Sequence, residues 1–72
     1  MEREPVMSSS IKSVGYDLDA QILEVEFHKY GTFRYRKVPE FLFRGLMLAT
    51  SKGAFFNGRI KDRYPVEEVR RQ

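Results

Sequence analysis

The sequence contains no cysteine. That excludes a disulfide framework and a thiolate-held zinc site, two common staples for a chain this short. It also fits a reducing compartment. A single histidine, His28, leaves no His-pair metal site within one chain. No stretch approaches the roughly 20 apolar residues needed to span a bilayer. The longest apolar-rich run, Phe41 to Ala49, is interrupted by Arg44 and Gly45. The opening Met1-Glu2-Arg3-Glu4-Pro5 is polar, unlike a secretory signal. There is no internal repeat and no low-complexity tract. A cytoplasmic monomer without a membrane partner is the expectation.

What is present suffices for one core. The chain has 72 residues, of which 42% are hydrophobic and 14% aromatic. A domain of this size buries only about 60% of its unfolded surface, so aromatic rings, each worth roughly 150–250 Å², matter disproportionately. The formal net charge is +3. Residues 52–63 hold Lys52, Arg59, Lys61 and Arg63 against Asp62, which equals the whole surplus. A mild local excess of this kind permits contact with a polyanion.

Hydrophobic periodicity predicts an α+β fold. It consists of a three-stranded antiparallel meander followed by one helix, a short second helical segment and a terminal extended segment. Residues 1–7 read as a flexible arm, 8–65 as a single domain and 66–72 as a flexible tail. Ser10 to Leu18 forms the first strand, with Val14, Tyr16 and Leu18 on one face. Ile22 to His28 is the clearest strand. Leu23, Val25 and Phe27 alternate with Glu24, Glu26 and His28. Thr32 to Val38 is the third. A Lys29-Tyr30-Gly31 loop, with Gly31 in the left-handed position, sets Phe27 opposite Phe33, Val25 opposite Tyr35, Glu26 opposite Arg34 and Glu24 opposite Arg36.

Pro39 ends the sheet and opens a helix. In it Glu40 and Arg44 form an outer pair, and Leu42, Gly45, Leu46 and Ala49 form the buried stripe. Close approach to the sheet would explain Gly45. Ser51 caps a second segment, Lys52 to Phe56, and Asn57-Gly58 stops it. Arg59 to Tyr64 then alternates as an extended segment ended by Pro65.

Candidate chemistry is sparse. Glu24, Glu26 and His28 share a strand face and could hold a metal, but a solvated face paired with Arg34 and Arg36 accounts for them better. Ser8-Ser9-Ser10 with Lys52 could suggest a Ser–Lys nucleophile, though serines before a strand are usually turn formers. Thr50-Ser51-Lys52-Gly53 has the residues of a phosphate loop in the wrong order. The chain therefore reads as a non-enzyme, with no catalytic residue, no metal and no cofactor. Phe33-Arg34-Tyr35-Arg36 interleaves rings and bases as nucleic-acid-binding sheets do. Its rings share a face with Phe27 and Val25, however, and so are assigned to the core.

Several segments together resemble the KTSC domain, a short bacterial and phage-encoded family named for the C-terminus of some lysyl-tRNA synthetases. They are Ser8-Ser9-Ser10-Ile11 leading to Gly15-Tyr16-Asp17, Leu23-Glu24-Val25-Glu26-Phe27, Gly31 with Phe33-Arg34-Tyr35, and Val38-Pro39. The last two are Ser51-Lys52-Gly53-Ala54-Phe55-Phe56-Asn57 and Ile60-Lys61-Asp62-Arg63-Tyr64-Pro65. The resemblance runs from Ser8 to Pro65. Its third strand usually carries Tyr-x-Tyr, where this chain has Phe33-Arg34-Tyr35. The synthetase link implies RNA binding.

The expected function is thus a small binding module for RNA or another polyanion, through Lys52, Arg59, Lys61, Arg63, Tyr64 and Lys29. The alternative is a protein-interaction module docking through Tyr30, Phe43 and Phe55 or by strand addition at 59–64.

Overall fold

A computed structural model describes residues 1–69. It is α+β, with five strands and two helices among those residues. The strands are β1 (Glu4–Pro5), β2 (Ile11–Asp17), β3 (Ile22–Phe27), β4 (Gly31–Tyr35) and β5 (Val66–Val69). The helices α1 (Glu40–Leu48) and α2 (Lys52–Arg59) lie between β4 and β5 in the chain. The sheet runs β1-β2-β3-β4-β5, antiparallel throughout.

The expected meander is the centre of this sheet, and two strands were not anticipated. The segments expected as arm and tail each supply an edge, β1 and β5. Residues 70–72 of the expected tail lie outside the described residues. Leu18 leaves the sheet for the turn after β2 and is exposed. β2 is irregular between Ile11 and Ser13.

The β3–β4 hairpin is present, with its register two residues away from the expected one. Val25 faces Phe33, Glu24 faces Arg34 and Leu23 faces Tyr35. The loop is His28-Lys29-Tyr30, and Gly31, at φ 90°, is the first residue of β4, opposite Phe27. A slip of two preserves every side chain's face because the strand period is two. Apolar still meets apolar and acid still meets base, so face matching alone did not separate the two registers. The turn does, because Gly31 takes its left-handed conformation in the ladder rather than in the loop.

Leu23 and Val25 join Leu42, Leu46, Phe56 and Ile60 in the core beneath the helices. Pro39 is the N-cap of α1, and Arg44 Nη2 pairs with Glu40 Oε2 at 2.9 Å. Leu42 and Leu46 of the expected stripe are buried, whereas Gly45 is half-buried and Ala49 is the C-cap of α1. The close neighbour of Gly45 is not the sheet but α2. A Cβ there would lie 2.6 Å from Phe55 Cζ.

Ser51 caps α2 by accepting from the Ala54 N–H. The helix continues through Asn57-Gly58, the expected stop, because Phe56 and Ile60 are both buried four residues apart on one face. It ends instead with Ile60 and Lys61 N–H groups sharing the Phe56 carbonyl and Asp62 at φ 63°. The expected extended segment 59–64 is consequently a helix end and a turn.

Candidate nucleic-acid interface

Aromatic side chains that straddle the hairpin turn converge on α2. Phe27 is the hub. Its ring meets Phe33 at 6.0 Å, Tyr30 at 6.5 Å and Phe56 at 5.2 Å between centroids, all edge-to-face. Tyr35 meets Phe56 in the same way at 5.3 Å. Edge-to-face packing satisfies the ring quadrupoles without filling the space as parallel stacking would. Between these rings and α2 lies a groove of about 450 Å³. Ser10, Asn57 and Lys61 are the polar side chains of its lining, and at Gly53 a Cβ would lie 3.2 Å from Ser10 Oγ. Tyr30 stands 73% exposed at its mouth. Burial raises the Tyr35 phenol above its ordinary pKa, with the Asp62 carboxylate adding to the shift.

The basic residues do not form one stripe. Lys61 lines the aromatic groove, whereas Arg59, Arg63 and Tyr64 line a shallower recess with Phe41 and Gly58. The buried Ile60 separates them. Strand alternation, which would have aligned Arg59, Lys61 and Arg63, is absent because the segment is not a strand. The Arg59 guanidinium lies 5.6 Å from the Phe55 ring centroid, a cation–π contact. Lys52 donates to the Met47 and Ala49 carbonyls at 3.0 and 2.9 Å, closing the C-terminus of α1. Lys29 is exposed in the β3–β4 turn.

The opposite sheet face is charged and self-contained. Glu24, 3% exposed, accepts from Arg34 Nε at 2.7 Å and pairs with Arg3. Burial pushes its carboxyl up, but hydrogen bonds from Arg34 and Arg3, with their charges, outweigh this and hold it below the usual range. Glu26 accepts from Ser13 Oγ at 2.8 Å. His28 lies in the turn rather than in the strand, with Nε2 3.0 Å from the Ser8 carbonyl. Ser8 Oγ accepts from the Ser10 and Ile11 N–H groups, which makes it a turn former. Arg3, in the presumed arm, had no pattern to mark it.

Of the aromatics expected to be exposed, only Tyr30 is. Phe43 stacks on Tyr16 at 4.9 Å, and Phe55 lies between Gly45 and Arg59. Tyr16 itself donates to the Val38 carbonyl at 2.5 Å.

Residues 7–64 match the family model of the KTSC domain. The chain belongs to the KTSC domain family. A solved KTSC domain protein from Yersinia pestis superposes with a TM-score of 0.95 at 43% identity, covering 96% of this chain and 97% of that one. An uncharacterised protein of Stutzerimonas stutzeri is 42% identical over 64 residues, 89% of this chain and 90% of its own length. A lysine–tRNA ligase of Nostoc punctiforme is 36% identical over 61 residues, 85% of this chain and 11% of the ligase. The KTSC unit is thus similar both to stand-alone proteins and to a small part of a tRNA ligase. Among the described residues no helix is long and apolar enough to cross a membrane.

Proposed function

We propose that this KTSC domain is a non-catalytic module that binds single-stranded RNA, taking an unstacked base into the aromatic groove and the adjoining phosphate on Lys61. The observation that carries this reading is the groove itself, with Phe27, Tyr30, Phe33, Tyr35 and Phe56 around one concavity and Lys61 among the residues that line it. Rings of this kind offer stacking worth about 1–3 kcal/mol per base, independent of sequence. Arg59 and Arg63, across Ile60, would take neighbouring phosphates. The similarity to part of a tRNA ligase agrees with an RNA setting. Protein docking is the second reading, favoured by Phe41 and Leu48, 70% and 86% exposed on the outer side of α1.

The test is fluorescence anisotropy with labelled single-stranded RNA over a salt series. Affinity should fall with salt at a log–log slope of about −0.7 per phosphate neutralised. Tyr30→Ala should weaken binding about 5- to 100-fold, the equivalent of one lost stacking contact. Absence of binding to any single-stranded RNA overturns the reading and favours protein docking.

A further inference from the structure

Two tyrosines of the sheet treat their hydroxyls differently. Tyr16 donates its own to the Val38 carbonyl. Tyr35 is only 7% exposed, yet its hydroxyl has no hydrogen-bond partner among the described residues. A buried tyrosine hydroxyl usually finds one. No described polar side-chain atom is both fully buried and unpartnered. The small exposed part of Tyr35 therefore includes its hydroxyl, and the groove that Tyr35 lines is where that hydroxyl opens. Its ring is held by the edge-to-face contact with Phe56 and by pairing of Tyr35 with Leu23 across the ladder. A fixed ring presents a fixed hydroxyl, so a ligand bonding to it has little ordering left to supply. Asn57, on α2, lines the same groove, and its side-chain amide also has no partner among the described residues. Asparagine is a weak helix former, and burial of Phe56 and Ile60 keeps it helical here.

We propose that the Tyr35 hydroxyl reads the edge of the base in the groove, with Asn57, and selects the keto bases uracil and guanine over the amino bases cytosine and adenine. This rests on the reading of the groove as a nucleobase site. Stacking on the rings gives affinity without sequence preference. The hydroxyl adds the preference. A phenol oxygen shares its lone pair with the ring, so it donates better than it accepts. Burial and the Asp62 carboxylate keep the proton on it. A keto base presents a carbonyl oxygen beside an N–H. The oxygen accepts from Tyr35, and the N–H donates to the Asn57 carbonyl. An amino base presents an amine beside a bare ring nitrogen. Its amine would face the phenol proton, donor against donor. A site that bonds one edge rejects the other because its own polar groups are left unpaired.

Fluorescence anisotropy at one salt concentration tests the selection, with uridine-only and cytidine-only RNAs of equal short length. The two bases match in size and differ at the edge being read. The wild type should bind the uridine RNA about 5- to 100-fold more tightly, as for one well-placed edge contact. Tyr35→Phe keeps the ring and removes the hydroxyl. Its affinity for the uridine RNA should fall to that for the cytidine RNA, which should itself be unchanged. Asn57→Ala, an exposed change, should reduce the same preference and decides the matter if Tyr35→Phe does not fold. Equal wild-type affinities, or a preference for cytidine, overturn the proposal and leave the groove as an unselective base site. A uridine preference that survives in folded Tyr35→Phe overturns it too, as does equal weakening toward both RNAs, which marks a purely structural hydroxyl. Binding of neither RNA by the wild type overturns the base-site reading itself, and this proposal with it.

Discussion

The two faces of the sheet solve burial differently. Under the helices, Leu23 and Val25 are enclosed by Leu42, Leu46, Phe56 and Ile60, so exclusion of water does the stabilising. On the other face no helix among the described residues covers the strands, yet Glu24 is as buried as a core residue. There a carboxylate is enclosed by two guanidiniums, Arg34 from β4 and Arg3 from the segment entering β1. The first face tolerates no loss of volume. The second depends on charge, and therefore on pH and on a short stretch of chain far away in sequence.

Leu46→Ala should widen the contrast most. It removes a fully buried side chain from the helix-covered face and should cost about 2–5 kcal/mol, read by urea denaturation. Glu24→Ala comes next, at about 1–3 kcal/mol, because both guanidiniums lose their acceptor but remain partly hydrated.

The acid response separates the faces more sharply. The Glu24 pKa is lower folded than unfolded, so the unfolded state binds the proton first. Its stabilisation is present above the ordinary glutamate value and is lost as pH falls through the lowered folded value. Glu24→Gln should flatten that loss, whereas Leu46→Ala should leave its slope unchanged.

Gly15→Ala acts on the charged face through the backbone. A Cβ there would lie 2.5 Å from the Glu2 carbonyl oxygen and 3.1 Å from Arg3 Cγ. The segment carrying Arg3 must lift, and the cost should be about 1 kcal/mol, that of one ordinary hydrogen bond, because Arg34 still pairs with Glu24. Hydrogen exchange should rise at Val6, whose N–H bonds the Lys12 carbonyl, before it rises in β3. The smallest effect belongs to Lys61→Gln, a surface change that should alter stability by no more than about 0.5 kcal/mol while weakening RNA binding.

The helix-covered face was the more legible. Period-two alternation in Ile22 to Phe27 and the Leu42, Leu46 stripe each carry their own signal. The polar face was half legible. Glu24 and an arginine of β4 were matched, but the partner was Arg34 rather than Arg36, because a two-residue slip conserves charge matching. Arg3 was invisible, since a two-residue strand has no period to detect. The basic segment misled for a related reason. Arg59, Lys61 and Arg63 alternate as a strand would, but the apolar Phe56 and Ile60 are spaced for a helix and burial of that pair decided the outcome. The groove was missed because its rings are dispersed over β3, the turn, β4 and α2, and each has an adequate reading as core.

The central claim is that the aromatic groove lined by Lys61 takes a nucleobase. A ¹⁵N-HSQC titration with a short single-stranded RNA tests it residue by residue. The predicted result is a set of shift changes centred on Ser10, Tyr30, Phe33, Phe56, Asn57 and Lys61 and reaching Arg59 and Arg63, saturating together and only at higher RNA concentration in Tyr30→Ala. Changes centred on Phe41, Arg44 and Leu48, or none at all, would contradict it.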